Sequence, residues 1–165
     1  MSNWNEIVKN NAASVVAAAF RILGNLPDAE DVSQEVFTEA FRKWDASSNQ
    51  KWNGLLRRIA VCRAIDHLRT RKTTERFVDP IFDRSADDPS QVVANRELQE
   101  KLRSAVSDLP PREAQIFCLV HFENLTHSVI AEQLGISNGA VAKALSKAKT
   151  KLTEKFRNTQ MGELK

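Results

Sequence analysis

Hydrophobic residues recur at every third or fourth position along most of this chain, a spacing that is typical of amphipathic helices. The β-branched runs are short and do not alternate with polar residues, so we expect almost no strand. Five glycines and five prolines in 165 residues favour long helices joined by few turns. The sequence therefore predicts an all-α protein, with helices over residues 5–23, 28–44, 52–71, 90–107 and 112–122 and two more within 126–152.

The last two predicted helices, within Thr126–Leu152, meet at a single glycine. Gly135 can take a left-handed backbone there and turn the chain sharply, and Ser137 can cap the helix that follows. Ala131, Gly135 and Val141 stand where a helix-turn-helix needs a small crossing residue, a turn and a buried anchor. The second helix also carries a lysine-rich face suited to phosphates, formed by Lys143, Lys147, Lys149 and Lys151. We interpret this unit as DNA-binding; the alternative is an ordinary αα-hairpin with a solvated lysine face.

The second predicted helix, which begins at Asp28 or Ala29, has a broad apolar face and an acidic face. Negative charge in its first turn suits the helix dipole. The acidic face carries Asp31, Gln34, Glu35 and Glu39. Composition alone favours a merely solvated surface for these side chains.

The third predicted helix, Trp52–Arg71, presents a cluster of arginines outward. Trp52 at its start could stack on an unpaired base, because aromatic faces beside cations favour single strands. The alternative, which the sequence favours, is a core tryptophan at a helix N-terminus.

The charge is segregated along the chain although the net charge is only +3. Residues 1–45 and 78–100 are mainly acidic, whereas residues 57–76 and the C-terminal end are mainly basic. Two basic blocks suggest two contacts with a polyanion, and the acidic surface suggests a different partner. Residues 73–89 hold two prolines, four aspartates and no helical period, which predicts a linker.

Several other classes of protein are disfavoured. No apolar run is long enough to span a bilayer and no signal-peptide pattern is present, so we expect a cytoplasmic protein without membrane insertion. Cys62 and Cys118 are isolated, and we expect neither a metal nor a cofactor. Catalysis is disfavoured because His67, His121 and His127 are scattered and no glycine-rich phosphate loop occurs.

Three motifs in order resemble one protein family. Asp28–Phe37, DAEDVSQEVF, resembles the polymerase-binding helix of bacterial RNA polymerase sigma factors. Ile59–Arg69, IAVCRAIDHLR, resembles their promoter-melting helix, and Leu109–Leu152, which opens LPPREAQIFCLVHFENLT, resembles their C-terminal module. Their order and separations are similar to those of the extracytoplasmic-function (ECF) type, which has two small helical domains joined by a linker.

The resemblance implies a region 2-like domain over residues 1–72, an acidic linker with a leading helix over 73–107, and a region 4-like helix-turn-helix domain over 108–165. Its implied partners are core RNA polymerase, through the β′ clamp, and promoter DNA, with an anti-sigma factor left open. The implied polymerase contacts are Asp28, Glu30, Asp31, Gln34 and Glu35. The implied contacts with the −10 element are Trp52, Arg57, Arg58, Arg63, His67 and Arg69. Those with the −35 element are Ser137, Asn138, Lys143 and Lys147.

We therefore predict a sigma factor that acts by binding, through clamp docking, −10 melting and −35 recognition. The main alternative is a free-standing helix-turn-helix regulator of the two-component output type. That alternative does not explain DAEDVSQEVF or the second basic helix. The sequence leaves open whether the two domains pack together.

Overall fold

The structure of the chain is a computed structural model that describes residues 3–45, 47, 50–74 and 89–163. These residues form seven α-helices and no strand, and the prediction of an all-α protein is confirmed. The helices are α1 (Trp4–Leu23), α2 (Leu26–Arg42), α3 (Trp52–Thr74), α4 (Pro89–Ser107), α5 (Pro111–His121), α6 (His127–Leu134) and α7 (Asn138–Glu163). Residues 75–88, most of the predicted linker, lie outside the described residues. Within the described ranges, no helix is both long and apolar enough to cross a bilayer.

The first three helices pack on one another around a common core. Val15 of α1, Val32 and Val36 of α2, and Leu56 and Ile65 of α3 are fully or almost fully buried there. Each recurs at helical spacing with other apolar residues of its own helix, which is why the periodicity located these helices. This group of helices is the first domain.

The boundary between α1 and α2 differs from the prediction by a few residues. Gly24 ends α1 with a left-handed φ of 67°, but α2 begins at Leu26 rather than at Asp28 or Ala29. Asn25 is its N-cap, because its side chain accepts a hydrogen bond from the Asp28 backbone N–H at 3.0 Å. Pro27 lies in the first turn, where a missing N–H costs nothing. The helix α2 therefore starts two residues before the predicted start at Asp28.

The helix-turn-helix prediction is confirmed by the second domain, in which α5, α6 and α7 pack together with α4. Gly135 ends α6 with a φ of 67°, and the Ala140 backbone N–H donates to the Ser137 hydroxyl at 3.0 Å. The predicted apolar positions of α7 are buried; these are Val141, Leu145, Ala148 and Leu152. The helix continues to Glu163, beyond the predicted limit at Leu152, because the sequence that follows contains no proline and its only glycine is Gly162.

Some apolar residues that the periodicity assigned to the core are instead exposed. The apolar face of each of these helices is wider than the surface that its neighbouring helices cover. Phe41, for example, packs on Trp4 and Trp44 with ring centroids 5.1 and 6.1 Å apart, yet it remains half exposed. The exposed fractions are 40% for Phe20, 53% for Phe41, 56% for Leu98 and 37% for Val129.

The two domains are in contact, which decides a point that the sequence left open. In what we call the interdomain interface, α3 packs on α4 and α5, and Gly54 of α3 approaches Gln133 of α6. Arg69 of α3 donates to the Leu109 carbonyl at 3.2 Å, and Arg103 of α4 donates to the Ile22 carbonyl of α1 at 3.0 Å. Polar contacts to backbone carbonyls therefore bridge the two domains at separate points.

Candidate protein and nucleic-acid interfaces

The polar face of α2 is divided between solvent and the neighbouring helix α3. Glu30, Asp31 and Gln34 are exposed, and within the described residues neither Glu30 nor Asp31 forms an ion pair. Their position in the first turns of α2, which Asn25 caps, favours negative charge through the helix dipole. This part of the predicted polymerase site is open to a basic partner.

The other acids of α2 hold α3. Asp28 pairs with Arg71 at 3.4 Å, and Glu35 lies 2.9 Å from His67. Glu39, which was not among the predicted contacts, accepts two hydrogen bonds from Arg63, the shorter of them 2.7 Å.

The Glu39 carboxylate raises the pKa of Arg63. Through their contacts with Arg71 and His67, Asp28 and Glu35 bind residues of the predicted −10 helix, and part of each acidic side chain remains exposed. The contact between Glu35 and His67 joins the two predicted sites, which are therefore not independent.

Trp52 lies in the core of the first domain, the alternative that the sequence favoured. It is 8% exposed and makes an edge contact with Trp4, with ring centroids 6.0 Å apart. Its ring is therefore packed against protein in this conformation, and the assignment of Trp52 to base stacking stays a prediction.

Arg57 is occupied by the second domain. Its Nε donates to the Glu123 carboxylate at 2.8 Å and its Nη2 donates to the Glu123 carbonyl at 2.6 Å. Arg21 of α1 reaches the other carboxylate oxygen of Glu123 at 3.3 Å. Sequence reasoning missed Glu123; the one available signal was that it is the only acid between Glu113 and Glu132.

Arg58 and Arg69 also lie on the side of α3 that faces the second domain. Arg69 binds the Leu109 carbonyl, as described above. Arg58 follows Gly54 by one helical turn on the same face, and its Nε is buried with no hydrogen-bond partner among the described residues. The predicted −10 residues are thus divided between the interdomain interface (Arg57, Arg58 and Arg69), the α2 contact (Arg63 and His67) and the core (Trp52).

The predicted −35 residues lie at or near the N-terminus of α7 and are exposed. Ser137 caps the helix, and the Asn138 amide lies 3.5 Å from the Ser128 hydroxyl of α6. Lys143 and Lys147 are one turn apart and exposed, so they share one face. Lys151 instead holds the buried Glu113 of α5 at 2.9 Å, which makes it a structural residue of the domain.

Two family models match the chain. The model described as Sigma-70 region 2 matches residues 7–74, and the model described as Sigma-70, region 4 matches residues 99–152. The first match covers α3 and almost all of α1, and the second includes the later part of α4 with the helix-turn-helix.

The chain is also similar to curated proteins and to a solved structure. It is 30% identical to the ECF RNA polymerase sigma factor SigE of Mycolicibacterium smegmatis over 158 residues, which are 93% of this chain and 62% of that protein. It is 25% identical to the RNA polymerase sigma-E factor of Streptomyces avermitilis, covering 96% of this chain and 87% of that protein. Its fold resembles that of CnrH in complex with the cytosolic domain of CnrY, with a TM-score of 0.62, 18% identity, and 94% and 88% of the two chains covered.

Proposed function

The chain belongs to the sigma-70 family, in its ECF type, and we propose that it directs core RNA polymerase to specific promoters and initiates transcription there. The observation that carries the proposal is the combination of an open acidic face on α2 with an exposed basic face on α7 of a helix-turn-helix. One surface suits a basic protein partner and the other suits DNA. A free-standing DNA-binding regulator requires only the basic face of α7.

The polymerase contact is proposed for the exposed start of α2. Glu30, Asp31 and Gln34 would face a basic region of core polymerase, the β′ clamp, because opposite potentials steer and orient such encounters. Asp28 and Glu35 would contribute through the part of each side chain that their α3 partners leave exposed.

The −35 contact is proposed for the N-terminal half of α7. Its N-terminus and the Ser137 cap would lie against phosphates, since helix N-termini attract anions. Asn138, Lys143 and Lys147 would reach base edges and phosphates in the major groove.

The −10 contact is proposed for α3, whose side chains near phosphates and bases of the opened strand would be Arg57, Arg58, Arg63, His67 and Arg69. Melting would follow if the protein binds the opened strand better than the duplex. Neither DNA contact alone needs to be tight, because attachment to polymerase makes the second binding event intramolecular.

We propose that this activity is binding without catalysis, that it takes place in the cytoplasm, and that an anti-sigma factor is a further partner. A second solved structure of similar fold, the sigma factor RpoE in complex with the anti-sigma factor NepR from Bartonella quintana (TM-score 0.58, 17% identity), supports that last point.

The test is the dissociation constant for bacterial core RNA polymerase, measured for the full chain and for Asp31→Arg. We expect a tenfold or larger loss of affinity, about 1.4 kcal/mol or more, because the reversal places like charges together. Glu132→Arg is the matched control, since Glu132 is an exposed acid of α6 and the charge change is identical.

Equal affinities for the parent and Asp31→Arg, with unchanged circular dichroism, would contradict the docking assignment. No binding by the folded parent chain would instead favour the free-standing regulator.

A further inference from the structure

Gly139 lies in the first turn of α7, in line with the lysines for which the DNA contact is proposed. Lys143 and Lys147 follow it at intervals of four residues, so the three positions share one face of the helix. All three are exposed. Position 139 is therefore the part of this face nearest the helix N-terminus, and it carries no side chain.

The protein's own structure does not require a glycine at this position. The backbone of Gly139 is not left-handed, in contrast to that of Gly24 and Gly135, whose φ is 67°. A Cβ added at Gly139 would come no closer than 3.8 Å to its nearest neighbour, the Ser137 hydroxyl oxygen, which is ordinary van der Waals contact. A Cβ added at Gly54 would instead lie 2.7 Å from a glutamine side chain of α6. Among the glycines whose surroundings the structure describes, Gly139 alone could therefore accept a side chain without strain or collision.

A glycine at this position also lowers the stability of the fold. Alanine stabilises a protein wherever it can adopt the backbone of the glycine that it replaces, chiefly because it reduces the conformational freedom of the unfolded chain. The neighbouring exposed positions of α7 are indeed alanines, Ala140 and Ala142. Folding alone therefore gives no reason for a glycine at position 139, whereas close approach of the helix backbone to a ligand does.

Asn138 is the side chain that depends most on such an approach. It is exposed beside Gly139, and its amide nitrogen lies 3.5 Å from the Ser128 hydroxyl, at the limit of a hydrogen bond. An asparagine amide can read a base edge, but this side chain is short, so the helix itself must carry it to hydrogen-bonding distance. Lysine side chains are long and flexible, so Lys143 and Lys147 can hold phosphates from a more distant helix.

We propose that Gly139 is a positioning residue for reading the −35 element. Its missing side chain lets the first turn of α7 lie close enough to the major groove for Asn138 to reach a base edge. This inference rests on the proposed function, because it assigns the short-range step in the −35 contact of α7. A methyl group at position 139 would hold the helix N-terminus away from the groove. Sequence-specific binding then falls, and binding to phosphates through Lys143 and Lys147 is retained.

The experiment uses the full chain and a pool of duplex DNA with a randomised segment, from which the parent chain selects its preferred sequence. Dissociation constants for the selected duplex and for a scrambled duplex of the same composition are measured by fluorescence anisotropy for the parent and for Gly139→Ala. We expect binding of Gly139→Ala to the selected duplex to be about tenfold weaker, with unchanged binding to the scrambled duplex. The melting temperature should rise by about 2 °C, because the substitution stabilises the fold.

Thr153→Ala is the matched control on the same helix. Thr153 is exposed, about 21 Å further along α7 than Gly139, and its replacement also introduces a residue of higher helix propensity. This variant should raise the melting temperature and leave both dissociation constants unchanged.

A double-mutant cycle with Asn138→Ala tests whether Gly139 acts through Asn138. Asn138→Ala should weaken binding to the selected duplex by a similar factor, and the double variant should lose no more than either single variant. Independent losses in the cycle would overturn the proposal.

Three results for Gly139→Ala would also overturn the proposal: unchanged binding to the selected duplex, equal losses on the two duplexes, or a lower melting temperature. If the parent enriches no sequence from the pool, the −35 assignment itself is refuted, and with it this role of Gly139. The polymerase assay remains separate evidence on the proposed function.

Discussion

Gly24 and Gly135 form a matched pair of helix C-caps. Comparing them measures how much a close side-chain contact at a helix C-terminus contributes to the free energy of unfolding. Both end a helix with a φ of 67°. A Cβ added at Gly24 would lie 2.4 Å from Cζ and Nη2 of Arg103, whereas a Cβ at Gly135 would meet nothing within 4 Å. Replacing each glycine by alanine therefore imposes the same backbone strain but only one collision.

The magnitudes follow from these geometries. A left-handed alanine costs about 1 kcal/mol at either position. At Gly24 the Arg103 guanidinium must also move, which disturbs its 3.0 Å hydrogen bond to the Ile22 carbonyl. Hydrogen bonds from charged groups contribute about 1.5–3 kcal/mol, and the side chain of Arg103 is only 16% exposed, so water replaces this one poorly. We expect Gly24→Ala to destabilise the protein by about 3 kcal/mol and Gly135→Ala by about 1 kcal/mol.

The assay is urea unfolding followed by circular dichroism and by tryptophan fluorescence. All three tryptophans, Trp4, Trp44 and Trp52, lie in the first domain, so fluorescence follows the unfolding of the domain that contains Gly24. A double-mutant cycle with Arg103→Ala isolates the collision. In that background Gly24→Ala should cost only the backbone strain, about 1 kcal/mol.

Two results would refute this reasoning. If Gly24→Ala costs no more than Gly135→Ala, the contact with Arg103 adds no stability. If the full cost persists in the Arg103→Ala background, the loss comes from the backbone alone. Either result would also weaken the case for a bridge between α1 and α4 at this point.

Two further predictions concern the second domain. Lys143→Ala and Lys147→Ala should each lower the salt slope of −35 DNA binding by about one phosphate contact, about 0.9 in the logarithmic plot, and identical slopes would place the DNA on another face. Partial desolvation of its ring, which packs on Phe117 although the side chain is exposed, lowers the pKa of His121 below its ordinary value of 6.5, and the positive charge of Lys149 lowers it further. As the pH falls through 6.5, the imidazole of His121 is protonated in the unfolded chain before it is protonated in the folded chain. The free energy of unfolding therefore declines on acidification. His121→Gln should make this decline shallower in urea titrations, and an unchanged pH profile would contradict the assignment.

Much of the fold could be predicted because its signals are local. Helical periodicity located seven helices, and Gly135 and Ser137 marked the turn and cap of the helix-turn-helix, since a cap or turn acts within a few residues. The exposed acids at the start of α2 and the lysines of α7 also follow from single-helix patterns. The boundary errors arose at the start of α2, where the Asn25 cap directly follows the Gly24 cap of α1, and at the end of α7, where no strong stop signal exists.

The partners of the arginines on α3 could not be predicted in the same way. A helical pattern identifies a face but does not say which element covers it, and Arg57 and Glu123 are 66 residues apart in the chain. The same limit applies to Trp52, whose two possible environments differ only in what packs against it. The sequence by itself therefore determined the helices and the helix-turn-helix, because these depend on local spacing, and the resemblance of three motifs to sigma factors indicated the family. Only the tertiary structure decided that the two domains close on each other with a buried acid between them, because that depends on contacts between distant segments.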